Sequence, residues 1–332
     1  MASGRVEIME GLWKAINSES ITYQDVYLNG EVIKSGTREC ESRYEVIRNF
    51  LERFSREKTF TVLDFGANYG YFSWRIKEDF PNAQITMVDN GPVIKELYRL
   101  SNHENVELIN KQMTIEDLRE FKKNNHFDTI LVMSILHHFK EDYKEVTNIF
   151  LEMGDNVVFE VYPPNVPGFT GISKEVSDYV KSKGVTPINT WTTQDRPIYY
   201  KNKDEYAVYG IVKSGSGGAT PNTKYFNKKF KWFGLKMYPG TLNIQMEQRI
   251  FFKDPLYLIN HEDWKLVTIP LYINGFPVFG VRAETEHLPG FIELLSSERL
   301  RNKFNLKDGD GVFLSFNLEN IRDLDDFSSN PL

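Results

Sequence analysis

VLDFGANYGYFS, Val62 to Ser73, is the stretch on which the fold turns. An apolar run ending in a carboxylate passes directly into Gly66-Ala-Asn-Tyr-Gly70, and the helical pattern YGYFSWRIKEDF follows. A strand that breaks at glycines and re-emerges as a helix puts those glycines at a strand carboxyl end, where backbone can approach a nucleoside ligand closely. Asp89 adds weight. It closes the next strand, AQITMVDN, about 20 residues on, where a carboxylate can accept both hydroxyls of a ribose. A dinucleotide suits that spacing as well as a mononucleoside does.

Upstream, RYEVIRNFLERFSREK places Val46, Ile47, Phe50, Leu51 and Phe54 at three-and-four spacing, an amphipathic helix. Downstream, PVIKELYRL reads as a helix with Pro in its first turn, then NVELINKQ, a helix near Thr114 to Lys123, FDTILVMSIL, a helix near Glu141 to Met153, and NVVFEVYP. Strand and helix alternate with continuously apolar strands, which predicts a doubly wound Rossmann-like parallel sheet. A helix near Lys174 to Lys183 and two strands in VTPINTWTTQDRPIYYKN follow. The charged step Lys203 to Glu205 sets a boundary: a first domain over 1–203 with an N-terminal helical extension, a second over 204–320, and a tail over 321–332. In the second half YAVYGIVKSGSGG, TLNIQM, LYLIN, KLVTIPLYING, FPVFGVRAE and GVFLSF are short strands separated by Gly, Asn and Pro. With helices over Lys224 to Phe233 and Phe291 to Phe304, they predict a small β-barrel.

The 332 residues are enough for two cores, and the net charge of -6 gives no general attraction to phosphate backbones, so nucleic acid is not the expected partner. The basic run Lys224 to Lys236 reads instead as a helix packed through Phe226, Phe230 and Phe233 with a solvated lysine face. Cys40 is the sole cysteine, which excludes an internal disulfide and makes a cytoplasmic location the default. MASGRVEIMEGLW lacks the apolar centre of a signal peptide, and the longest apolar run, Ile130 to Leu136, is too short for membrane insertion. No feature of the sequence sets the oligomeric state.

Taken in order, VLDFGANYGYFS, VDN and FDTILVMSILHHF resemble the successive motifs of class I S-adenosylmethionine-dependent methyltransferases, over about residues 40 to 200. Asn68 stands where that family's Gly-x-Gly-x-Gly has its middle glycine; Asn is one of the few residues that tolerates a left-handed backbone. The resemblance implies that Asp64, Gly66 and Gly70 line the methionine part of S-adenosylmethionine, Asp89 its ribose, and Gln112 and Met113 its adenine, with Asn68 in the same cofactor-binding loop. Asp64 can equally be a loop-capping carboxylate. His137 and His138 follow the fourth strand and face the crevice. Methyl transfer from a sulfonium needs alignment, and a base only when the acceptor must lose a proton. A histidine of near-neutral pKa can take a hydroxyl proton, can position a phosphate monoester that arrives anionic, or can simply tie its loop. Glu160, ending the fifth strand, is either a further catalytic candidate or an ion-pair partner. Arg38 and Arg43 in GTRECESRY suit a donor carboxylate, an anionic acceptor or solvent.

In the second half, Gly210 to Gly218 (GIVKSGSGG) is a glycine-rich strand exit whose Gly215, Gly217 and Gly218 let amides approach phosphate, although no Walker sequence follows. With KYFNKKFKWFGLK, PGTLN, INGFPVFGVRAETEHLPGFIELLSSERLRNKF and NLKDGDGVFLSF, it resembles the archaeal-type CTP-dependent riboflavin kinases over about residues 206 to 318. The fold so implied is a six-stranded barrel. The resemblance gives Thr241 and Asn243 to the Mg²⁺ of bound CTP, which their alternation across Leu242 permits. It places Glu293 near the acceptor hydroxyl, unless Glu293 is only a helix-start carboxylate. The glycine loop is longer than the family's and TEHLPG departs from its acceptor-side pattern, so an acceptor other than riboflavin is expected. Tyr23 to Gly30, Gly36 to Tyr44 and Leu136 to His138 further resemble the YxxxxLxG, GxRxxxxRY and LHH motifs of fused kinase-methyltransferases that cap bacterial surface polysaccharides. The expectation is a bifunctional enzyme that phosphorylates a hydroxyl of a small-molecule or glycan acceptor from CTP and methylates that phosphate or a group near it. The alternatives are a methyltransferase whose barrel only binds nucleotide or substrate, and an RNA-modifying methyltransferase.

Overall fold

The computed structural model describes residues 2–54, 57–101, 104–161, 171–189, 196–214, 227, 230–231, 236–246, 248–253, 256–260, 265–283 and 290–326. It divides into two compact units, Met1–Lys203 and Asp204–Leu332.

The first unit opens with α1 (Ala2–Ser18), the short strands β1 (Val26–Leu28) and β2 (Glu31–Lys34), and α2 (Glu41–Leu51). The alternating body follows: β3 (Phe60–Phe65), α3 (Tyr71–Asp79), β4 (Ala83–Val88), α4 (Pro92–Leu100), β5 (Val106–Ile109), α5 (Ile115–Asn124) and β6 (Phe127–Met133). A 3₁₀ segment Leu136–Asp142, α6 (Tyr143–Met153), β7 (Gly154–Glu160), α7 (Ile172–Ser182), β8 (Thr186–Asn189) and β9 (Ile198–Asn202) complete it. The sheet runs β5-β4-β3-β6-β7-β9-β8, with β5 to β7 parallel and β9 antiparallel to both its neighbours. Strands as apolar as FTVLDF and FDTILVM are buried on both faces, one against Ile47, Phe50, Phe72 and Trp74, the other against Val146, Phe150 and Val180. Strand order reverses between β3 and β6, so the carboxyl ends of those two strands flank the crevice where this fold binds ligands.

The N-terminal extension packs on one flank of that crevice, with Leu12, Ile16, Val26 and Leu28 buried against Tyr69, Val93 and Leu97. The β1–β2 hairpin turns at Asn29 and Gly30, both at positive φ (52° and 89°), as a two-residue hairpin loop requires. Strands this short have no periodicity to read, and nothing in the sequence pattern anticipates them.

In the second unit, β10 (Glu205–Lys213), β11 (Leu242–Met246), β12 (Gln248–Phe252), β13 (Leu256–Asn260), β14 (Lys265–Ile273) and β15 (Phe276–Ala283) precede β16 (Phe291–Leu295), the short helix α8 (Leu300–Lys303), β17 (Gly311–Asn317) and β18 (Ile321–Asp326). Strands β14-β15-β16-β11-β10-β17 close through Tyr272↔Ser315 and Ile273↔Leu314 into a six-stranded antiparallel barrel around Val212, Ile244, Leu271, Ile292 and Leu314. Its membership differs from the expected one. LYLIN is β13, an addition on the edge of β14, and FIELL, expected as the start of a helix, is the sixth barrel strand. The reason is its period: Ile292 and Leu294 enter the core while Phe291 and Glu293 face away, a two-residue alternation that a helix cannot use. The segment expected as a tail begins with β18, which pairs antiparallel with β12. Most of the helix expected over Lys224 to Phe233 lies outside the described residues; Phe230 itself is buried against Met237, Val281 and Leu295. Among the described residues no helix is long and apolar enough to cross a membrane.

Candidate functional site

Between the ends of β3, β4, β5 and β6 lies a cavity of about 1310 Å³. Its floor is the loop after β3, in which Gly66, Asn68 and Gly70 all adopt the left-handed backbone (φ 76°, 56° and 76°). Glycine is needed at Gly66 for space as well as for φ, because a Cβ there would meet Ile135 Cγ1 at 2.8 Å. Asp89 closes β4 and is held by two amides, Asn68 N to Oδ2 and Gly91 N to Oδ1, each at 2.8 Å. Burial nonetheless raises its pKa. Gln112 and Met113 line the same cavity beyond β5, just before the Thr114–Asp117 capping box that starts α5.

Asp64 lies beneath this loop, 1% exposed, with Oδ2 accepting from Ser73 Oγ at 2.7 Å. Its Oδ1 is buried without a hydrogen bond among the described residues. Burial, reinforced by the charge of Asp89 and opposed by Ser73, pushes its pKa up to about 7. The left-handed loop and the Asp89 carboxylate on the cavity lining, with the unmatched Asp64 acceptor beneath them, are groups that fit the zwitterionic end and sugar of S-adenosylmethionine. The residues present therefore fit that donor.

The far side of the cavity, at the ends of β6 and β7, is built differently. Glu160, its side chain fully buried, receives Arg43 Nη1 at 3.0 Å and Arg196 Nη1 at 3.2 Å, and Ser134 Oγ at 2.5 Å. Burial drives its pKa up, but Arg43, Ser134 and Arg196 outweigh burial and hold it below the ordinary value. Arg196 Nη1 also donates to Ser134 Oγ at 2.9 Å and to Tyr23 OH at 3.0 Å. Glu160 is thus an ion-pair anchor with its oxygens occupied, and the general acid–base role considered for it does not suit this environment. His137 and His138 both line the cavity, rings 4.2 Å apart. Burial, then His138 and Arg196, push the His137 pKa down to about 4, well away from the near-neutral value a hydroxyl base would need. Neutral at physiological pH, His137 can orient an acceptor. Arg38, half-buried, lies over the Tyr23 ring at 5.1 Å.

In the barrel, Asn243 is paired across the sheet with Lys213 on β10 and Glu293 on β16. Directly opposed residues project to one face, so a cation, an amide and a carboxylate form a row across three strands. Asn243 is buried, and its Oδ1 has no hydrogen bond among the described residues; a neutral oxygen so placed fits a hydrated Mg²⁺, which takes few protein ligands. Thr241 precedes β11, after Gly240 at φ 117°. Gly215, Gly217 and Gly218 lie outside the described residues.

A family profile described as a methyltransferase domain matches residues 63–153. A second, that of the CTP-dependent riboflavin kinases (domain of unknown function DUF120), matches residues 212–315. The riboflavin kinase of Sulfolobus acidocaldarius is 31% identical over 114 residues, covering 30% of this chain and 72% of that protein. Through its second unit the chain belongs to the riboflavin kinase family, and its first unit is a methyltransferase domain. The chain is also similar in fold to WbdD: a complex with a kinase inhibitor aligns at TM-score 0.50 and 14% identity, over 86% of this chain and 68% of that one. A medium-resolution structure of the bifunctional kinase-methyltransferase WbdD aligns at TM-score 0.49, with 14% identity and the same coverage.

Within the methyltransferase domain, Arg196 and Gln24 are residues of the crevice region that the sequence does not single out. Arg196 sits in TTQDRP, which reads as a turn; its burial follows from the antiparallel return of β9 beside β7, which no local pattern encodes. In the riboflavin-kinase-family domain, Lys213 reads in sequence as one lysine in a glycine-rich exit, and only the β10–β11 register sets it opposite Asn243.

Proposed function

We propose that the protein transfers phosphate from CTP to a hydroxyl of a small-molecule or glycan acceptor in its barrel, and a methyl group to that phosphate or a neighbouring group in its amino-terminal domain. The observation that carries this reading is the pairing, in one chain, of the β3–β6 crevice with the Lys213, Asn243 and Glu293 row. Bound S-adenosylmethionine supplies an electrophilic methyl group, and bound CTP with Mg²⁺ supplies the phosphoryl group. Asp64, the loop Gly66 to Gly70, Asp89, Gln112 and Met113 would hold the methyl donor; Thr241 and Asn243 would hold the metal.

The chain's own residues then have few tasks. In the crevice, His137 in its neutral form orients the acceptor, while the Arg43, Glu160 and Arg196 cluster fixes Ser134 and Tyr23 at the wall. Displacement at a sulfonium needs alignment first, and a rigid wall provides it. In the barrel, Lys213 offsets phosphate charge and Glu293 orients the attacking hydroxyl, which is what a loose phosphoryl-transfer transition state requires of a protein. The test is mass spectrometry of a metabolite and glycan panel incubated with protein, CTP, Mg²⁺ and S-adenosylmethionine. A product heavier by one phosphate and one methyl supports the reading. Methyl alone, with no CTP consumed, refutes the kinase half and leaves a barrel that only binds.

A further inference from the structure

A second, far smaller cavity lies at the ends of β6 and β7, beside the first turn of α7, with a volume of about 10 Å³. Four of its lining residues are polar: Ser134, His137, Glu160 and Ser173. Ser134 and His137 line the large cavity as well, so these two residues stand between the two spaces.

Ser173 is the member of this group that has no task so far. It is 1% exposed, and its Oγ makes no hydrogen bond among the described residues. Its place in α7 gives the reason. The cap position, where a serine hydroxyl takes up a free amide, belongs to Gly171, two residues earlier. The carbonyl four residues back, which a serine in mid-helix can use, precedes the helix altogether. A buried hydroxyl left without a partner calls for an explanation, and a polar cavity at its side supplies one. Ser177, one turn further on, is also buried without a hydrogen bond but lines neither cavity, which makes it the natural control.

A cavity holds one water when it offers about 10–15 Å³ and two to four polar partners. This one has the size for a single water and nothing larger, and it has the partners. Glu160 Oε1 accepts from Arg43, Ser134 and Arg196, whereas Oε2 accepts only from Arg43 Nη1 among the described residues, at 3.0 Å. A carboxylate oxygen so placed has room for a further donor. A water that donates to Glu160 Oε2 keeps its second proton for Ser173 Oγ, and its lone pairs accept from a ring N–H of His137. Neutral imidazole carries one N–H and one bare nitrogen, so an N–H committed to the water leaves the bare nitrogen for the large cavity. We infer that the small cavity is a single-water site joining Ser173 and Glu160 to His137, and that Ser173 is a positioning residue selecting the tautomer His137 shows to the methyl acceptor. The use of that tautomer rests on the methyl-transfer reading; the water site does not.

The test uses the full chain labelled with ring-¹⁵N histidine, the His137 signals being assigned by their loss in His137→Asn. At neutral pH the wild-type protein should hold His137 in one tautomer by about 10 to 1 or more, the value of one hydrogen bond tied to a charged partner. Ser173→Val puts methyl groups where the water sits and should bring the ratio within about threefold of parity. Should that variant not fold, Ser173→Ala removes one of the water's partners and should lower the ratio by about threefold. Ser177→Ala should leave it unchanged. A crystal structure of the wild-type protein should show one water within hydrogen-bond distance of both Ser173 Oγ and Glu160. An empty cavity, a mixed tautomer in the wild-type protein, or a ratio that the Ser173 variants do not move overturns the inference and leaves Ser173 a packing residue like Ser177. Absence of methyl transfer in the mass-spectrometric assay alters neither readout, so failure of that reading and failure of this one are told apart.

Discussion

Replacing Glu160 with glutamine separates an anchor from a catalyst. The side chains of Arg43 and Arg196 are 4% and 1% exposed, and both guanidiniums share this one carboxylate. Glutamine has the same shape but removes the charge and turns one acceptor oxygen into an N–H donor facing a guanidinium. Breaking a buried pair from one side leaves uncompensated charge and costs about 3–5 kcal/mol. For a unit spanning Met1–Lys203, each kcal/mol lowers the melting temperature by about 2–4 °C, so a fall of roughly 6–20 °C is expected. Hydrogen exchange resolved by peptide should place the loss in β6, β7 and β9 and spare the barrel. The acid limb carries a second signature. The Glu160 pKa is held below its ordinary 4.5 in the folded state, so its stabilisation is complete above that value and disappears as pH falls through the lower folded value; the variant lacks this loss. A variant that melts within about 1 kcal/mol of wild type but loses methyl transfer would refute the argument and restore Glu160 to catalysis.

Asn68→Ala should cost about 1–2 kcal/mol, because alanine resists the left-handed backbone at φ 56°, while Asn68→Gly should be nearly neutral; urea unfolding measures both. Asp64, raised to about 7 by burial, holds a proton in the folded state that the unfolded chain releases near 3.8, so its contribution to stability is present below 3.8 and lost as pH rises through 7. Unfolding free energy of the ligand-free protein should therefore fall between those values by up to about 1.4 kcal/mol per pH unit, and Asp64→Asn should flatten the fall. Asn243→Leu should abolish Mg²⁺-dependent CTP binding in calorimetry and yet stabilise the barrel by about 1–3 kcal/mol, since an unmatched buried acceptor is removed. Loss of barrel stability in that variant would show that Asn243 is a packing residue.

The sheet of the first domain was legible because each strand is a continuous apolar run and each turn carries its own glycine or capping residue. The β3–β4 side of the crevice was legible for the same reason: Gly66, Asn68, Gly70 and Asp89 sit at strand ends that the pattern itself marks. The wall at the ends of β6 and β7 was not. Glu160 gains its role from Arg43, 117 positions earlier, and from Arg196, 36 positions later, and such separations leave no periodic trace. His137 looked like a base in sequence because a histidine's ordinary pKa is near neutral; its burial, with His138 and Arg196 beside it, changes that. In the barrel, FIELL misled because a five-residue apolar run with one carboxylate satisfies a helix start as well as a strand, and only pairing with Leu242 to Gln245 decides between them.

The GxRxxxxRY motif shows what such a signature encodes physically. Gly36 permits backbone contact with Gln24, Arg38 covers Tyr23, Arg43 engages Glu160, and Tyr44 OH donates to Asp79 Oδ2 at 2.6 Å. Of the four, Arg43 itself lines the crevice, Gly36 and Arg38 sit against the lining residues Gln24 and Tyr23, and Tyr44 ties α2 to the carboxyl end of α3. On the proposed reading, acceptor choice rests on the side chains that line the cavity after β6: neutral His137, exposed His138, and Lys140, whose backbone (φ 47°, ψ −120°) kinks the stretch Leu136–Asp142. Substitutions there should redirect acceptor preference with little change in donor affinity, whereas substitutions in the strap should do the reverse.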